Sequence, residues 1–256
     1  MPIMAHALDG ARERLKRADE HIRNLSDEIA PLIRCLPIIP FSRERPTFTD
    51  EDRKNWDTLI KANTQIPPRL SVLTGEIVHH MRAAFDHVAW QLSSAKLRAS
   101  NPTQIAFPVS LVDTSTNKDE LRRYKRQVEG ISSPSGLARI QSLQPYHAGN
   151  PSAHPLWLIH DLDRIDKHRE LVLVVAALTT NIIIGLPALV EQHAFETKPR
   201  RVVAVGDSMQ VNGKISGQIA LDGSLTGNGE DQPIIPFLEN LSRFARNSVE
   251  SFSSDF

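Results

Sequence analysis

Between residues 171 and 190 the chain reads LVLVVAALTTNIIIGLPALV, twenty positions without a charged side chain. A stretch of that length either crosses a bilayer or is buried within the fold. Thr179, Thr180, Asn181, Gly185 and Pro187 interrupt it, and the flanking halves are rich in Val and Ile, which favour strands. The expectation is a buried β-hairpin turning near Thr179–Asn181, with no membrane contact. The amino-terminal residues meet Asp9 and Arg12 before any apolar run develops, so no secretory leader is expected.

The rest of the composition is that of a globular chain. Its 256 residues, 40 % hydrophobic and 23 % charged, suffice for a core without disulfide or metal staples. Thirty basic residues balance thirty acidic ones, which excludes a global pull towards nucleic acid or acidic lipid. The single cysteine, Cys35, excludes an internal disulfide and any CxxC zinc site. It suits a reducing cytoplasm and reads as a small buried hydrophobe.

Helical periodicity dominates the first two thirds. Leu8, Ala11, Leu15, Ala18, Ile22, Leu25, Ile29 and Leu32 recur at spacings of three and four, giving a helix over 5–34 that Pro37 and Pro40 stop. Thr49 and Asp52 resemble a capping box opening a short helix through Ile60. Pro67–Pro68 opens a helix over 68–97. Further helices are expected at 118–129, from Ser133–Pro134 to before Pro145, and at 154–168. From 170 to 222 the pattern changes to β-branched runs and alternation, with Ile215, Gly217, Ile219 and Leu221 on one side and Ser216, Gln218 and Ala220 on the other. Gly223, Gly227 and Gly229 mark a loop, and helical period returns over 234–253. The fold class is α+β: an N-terminal helical bundle (1–169), then a small antiparallel sheet and a closing C-terminal helix (170–256), packed as one unit with the bundle.

Two polar constellations could carry chemistry. On the helix over 68–97, His79, Arg82 and Asp86 share the side opposite a broad apolar arc, with His87 at the edge. An imidazole, a guanidinium and a carboxylate are the parts of an acid–base or phosphate site. Equally, Arg82–Asp86 reads as an i,i+4 ion pair on a polar face. The second constellation, His160 to Arg169, puts His160, Asp163, Arg164 and Lys167 on one face, with Asp166, Lys167, His168 and Arg169 where the helix should end. Cations there also complement the helix dipole. The two constellations are expected to meet. A zinc site from His79, His87 and His160 would lack the HExxH or paired-carboxylate spacing that supports such sites, so no metal or other cofactor is assigned. Arg122-Arg123-Tyr124-Lys125-Arg126 offers cations around a stackable ring, or simply a solvated helix face.

The strings PPRLSVLTGEIVHHMRAAFDHVAWQL (67–92), Phe107–Pro108, LQPYH (143–147) and PLWLIHDLDRIDKHREL (155–171) resemble a widespread family of uncharacterised bacterial hypothetical proteins. Arg82-Ala-Ala-Phe-Asp-His87 also resembles the signature of the HEPN superfamily of helical nucleotide-binding proteins and metal-independent ribonucleases. That resemblance implies that Arg82 engages a phosphate and His87 acts at the 2′-hydroxyl, with His79 or Asp86 orienting it, at the interface of a homodimer. Ala83 departs from the polar residue that often follows the arginine in that superfamily. Three readings follow: a HEPN-like nucleotide- or RNA-binding protein or ribonuclease, a non-enzymatic scaffold using the Asp166–Arg169 corner and the sheet, and a metal-dependent hydrolase built on His79, His87 and His160.

Overall fold

The computed structural model describes residues 6–36, 39–41, 51, 54–55, 58, 65–184, 192–194 and 210–256. Helix α1 (Asp9–Arg34) buries Ala11, Leu15, Ala18, Ile22, Leu25 and Ile29, alternate spacings of four and three that form one stripe. Helix α2 (Pro68–Leu92) starts on a proline that has no N–H to leave unpaired. Five residues of its expected length are missing. Ser93 is extended and bridges to Ile131, and the Ser94 hydroxyl accepts from Leu97 N to open a separate helix, α3 (Ala95–Ser100).

Asn117 caps α4 (Lys118–Val128), Ser133 caps α5 (Pro134–Ser142), and His154 Nδ1 accepts from Leu156 N at the start of α6 (Pro155–Asp166). The last helix is α7 (Ile234–Glu250). The short helix expected near 49–60 falls largely outside the described residues. Cys35 is exposed rather than buried, because it lies at the α1 C-cap, beyond the last residue of the apolar stripe.

Four helices make the bundle. His80 lies near Arg14 and Arg69 near Glu28, so α1 and α2 run antiparallel. His79 meets Asp163 and Gly75 meets Asp166, so α6 runs antiparallel to α2. Arg12 pairs with Glu250 and Asp19 with Ser242, so α7 runs antiparallel to α1. Side chains from all four, together with Phe107, Ile140, Ile219 and Leu221, share one contiguous core. Core residues thus come from both sides of residue 170.

The sheet is antiparallel, in the order β1 (Ile39–Phe41), β4 (Gln210–Leu221), β2 (Leu173–Ile184), β3 (Gln192–Ala194), with β5 (Gln232–Pro233) also pairing with β4. The fold is therefore α+β, mainly helical. The expected turn at Thr179–Asn181 is corrected: β2 runs straight through these residues and pairs them with Ile215, Lys214 and Gly213. Threonine is β-branched and suits a strand interior, and no glycine or proline breaks the run before Gly185. At the base of the sheet Ala220 is as buried as Ile219 and Leu221, so the expected alternation closes off where β5 leads into α7. Gly227 has φ +74°, and a Cβ there would meet the Ser152 carbonyl. Among the described residues, no helix is long and apolar enough to cross a membrane.

Candidate functional site

The two polar constellations do meet, along the antiparallel α2–α6 seam. His79 Nδ1 lies 2.9 Å from Asp163 Oδ1, and Lys167 Nζ donates to Asp163 Oδ2 at 2.6 Å. Asp163 is 5 % exposed at its side chain, whereas His79 and Lys167 are 52 % and 57 % exposed. One buried carboxylate therefore fixes an imidazole and an ammonium that both reach the surface. The bond at Nδ1 orients the ring and leaves Nε2 as its outward-acting nitrogen. Asp166 lies against the bare Cα of Gly75, and burial, then Asp163, pushes its carboxyl above the usual range. His168 and Arg169 are exposed beyond the helix end.

Arg82 and Asp86 belong to a different task. The segment from Phe107 to Ser110 crosses the bundle without regular secondary structure, and its backbone groups need partners. Asp86 Oδ1 accepts from Phe107 N at 2.9 Å, and Arg82 Nη2 donates to Phe107 O at 2.9 Å. Gln144 donates to the Pro108 carbonyl and accepts from Ser110 N, each at 3.0 Å. Arg123 donates to the Val109 carbonyl at 2.6 Å. Four side chains thus clamp four consecutive residues.

Arg82 is 6 % exposed. Its Nη1 stands 3.0 Å from Asp86 Oδ1 but off the hydrogen-bonding direction, so the contact is an ion pair and that nitrogen has no hydrogen-bond partner among the described residues. Burial raises the Asp86 carboxyl above the usual range, with Arg82 opposing it.

His87 does not join them. Five residues along a helix rotate about 140°, and its ring sits against Gly10 of α1, where Nδ1 would be 2.7 Å from an added Cβ. Burial and then Arg14 lower its pKa. Neither His79 nor Asp86 hydrogen-bonds it among the described residues, so the expected orienting contact is replaced by helix packing. His160 is mostly buried beside Trp157, its Nδ1 without a hydrogen-bond partner among the described residues; burial, then Arg82, push its pKa down to about 4, so it is neutral at pH 7.

His79, His87 and His160 do not form a ligand set: no group of three or more metal-ligating side chains occurs among the described residues. The basic run of α4 divides as well. Tyr124 packs against the core, and burial raises its phenol to about 12, while Arg123 is spent on Val109 and Glu120.

The backbone of Phe107 was not among the groups expected to form a site, and Asp163, placed on the shared face of the second constellation, was not given the task of holding His79 and Lys167. Asp163 had a readable signal, its i,i+4 spacing to Lys167 on the face it shares with His160. Phe107 had none, since a clamp on its peptide groups is invisible before the chain is folded. No family model matches the chain, and no curated protein and no solved structure matches it.

Proposed function

We propose that this chain is a HEPN-like nucleotide- or RNA-binding protein that contacts phosphate through the surface formed by His79, Lys167, His168 and Arg169, and that it does not cleave through an Arg82–His87 pair. The observation that carries this reading is Asp163, which holds His79 and Lys167 side by side at the surface. Pre-oriented donors cost less conformational entropy when a phosphate arrives. Arg82 is already committed inside the protein, and His87 faces another helix. The binding reading requires no second subunit. Glu76 and Asp166 flank the surface, so the affinity expected is that of non-specific phosphate contacts, about 10⁻⁴–10⁻⁶ M.

Fluorescence anisotropy with a labelled single-stranded RNA tests this. Binding should weaken steeply between about 50 and about 200 mM salt, and Lys167→Ala and Arg169→Ala should each reduce the salt slope by about 1. No binding at the lower salt would sink the reading. So would metal-independent cleavage that Arg82→Ala abolishes without unfolding the protein. A second reading, a scaffold holding a protein partner at the 166–169 corner, is favoured by the structural employment of Arg82, Asp86 and Arg123. Absence of RNA binding in the same assay would turn the argument towards it.

A further inference from the structure

The α1–α2 interface carries three histidines that the proposed phosphate surface does not use. His21 of α1 stacks on His80 of α2, with ring centroids 5.5 Å apart and planes within 13°. His87 lies two turns further along α2 on the same side, seated on Gly10. Arg14 stands between them, its Nη1 3.5 Å from His80 Nδ1, and its charge acts on both His80 and His87. His21 Nδ1 is buried with no hydrogen-bond partner among the described residues. One permanent cation thus stands beside His80 and His87, whose protonation places like charge against it.

We infer that this histidine seam is an acid-responsive device: protonation of His80 and His87 beside Arg14 loosens α1 from α2, while the α1–α7 contacts hold. The charges facing the seam come from its own two helices. Arg14, Arg17, His21 and His79 oppose protonation of His80. Arg14 opposes that of His87, with Asp86 favouring it. Glu76 lies 4.0 Å from His21, and Asp27 and Glu28 line the same cavity as His21. Burial, the largest cause at both His80 and His87, acts in the same direction as Arg14. On the other side of α1, the pairs Arg12–Glu250 and Arg246–Asp19 contain no histidine, so α1 stays tethered to α7 as the seam opens.

Hydrogen exchange of the full chain, corrected for the intrinsic pH dependence, reads this directly. Between about pH 7.5 and about pH 5.5, protection in α1 and in the facing turns of α2 should fall, by up to about tenfold for each unit by which a seam histidine titrates below its unfolded value. Helices α4 and α5 should lose less. In the double variant His80→Gln, His87→Asn the fall in α1 beyond that of α4 and α5 should vanish. A second measurement does not depend on that variant folding. In the wild-type protein, NMR titration of the rings should place His80 and His87 below the ordinary histidine value. Protection in α1 that is flat with pH, that falls equally in every helix, or that in the double variant still falls beyond that of α4 and α5 overturns the inference, as does either ring titrating at or above about 6.5.

Discussion

Arg82 donates from Nη2 to the carbonyl of Phe107 at 2.9 Å, across the space between α2 and an irregular segment that follows it by more than a dozen residues. That bond gives the arginine a structural task that explains its burial. A guanidinium offers five donors in a rigid fork, so it can hold a carbonyl and an acid together where a lysine supplies one point of contact. Arg82→Ala should therefore lower stability on the order of 3 kcal/mol, since it strands the Phe107 carbonyl and removes the cation beside Asp86. Arg82→Lys should recover only part of this. Urea unfolding measures both; wild-type stability in the alanine variant would show that the clamp contributes nothing.

Gly75 of α2 packs directly against the Asp166 carboxylate of α6. A Cβ on Gly75 would fall 2.0 Å from Asp166 Oδ1. Alanine gains about 1 kcal/mol over glycine in helix propensity, but overpacking such a contact costs about 1–3 kcal/mol. Gly75→Ala should lower Tm, and Gly75→Ala with Asp166→Gly should restore it. A higher Tm in the single variant would mean that the carboxylate swings aside freely.

Asp163→Asn keeps the shape and one acceptor but removes the charge that holds His79 and Lys167. Both partners are more than half exposed, so solvent screening limits the loss to about 1–2 kcal/mol. Its effect on RNA affinity should be at least that of His79→Ala, and the two should be less than additive in a double-mutant cycle, because Asp163 acts through the ring and the ammonium it orients. Additive effects in anisotropy titrations would separate them.

Acid should destabilise the protein well before its carboxylates titrate. His80, His87, His154 and His160 all have lowered pKa values, burial being the first cause at each. A depressed folded value means stability that is complete above the unfolded pKa near 6.5 and lost as pH falls through the folded one. For His160 that window extends down to about 4 and corresponds to roughly 3 kcal/mol. Asp86 and Asp166 carry the opposite sign: their raised values cost stability while they are ionised, and protonation relieves that cost at the acid end. Chemical denaturation at stepped pH should show stability falling from about pH 6.5, with His160→Gln flattening the lower part of the curve. A profile flat from pH 7 to about pH 4 would contradict it.

Much of the helical part was legible because its signals are local. The stripe from Ala11 to Ile29, the proline at the first turn of α2, and the Ser133 cap before Pro134 each fix an element within a few residues of themselves. The meeting of α2 and α6 was legible too, since two polar faces on adjoining helices satisfy each other. The end of α2 was not, because Ser93 leaves the helix to pair with Ile131, which lies 38 positions further on.

By itself, then, the sequence determined the periodicities, the caps and the change from helix to strand after residue 170. All of these follow from steric and hydrogen-bonding preferences that act over one or two turns. Tertiary structure alone decided that β2 runs through Thr179–Asn181 to pair with β4, that Arg82 and Asp86 serve the peptide groups of Phe107, and that His87 faces α1. A helix fixes the angle between Arg82 and His87, but not which neighbour each will meet. That is set by how the whole bundle buries its apolar stripes and by where a distant, irregular segment must find partners for its backbone.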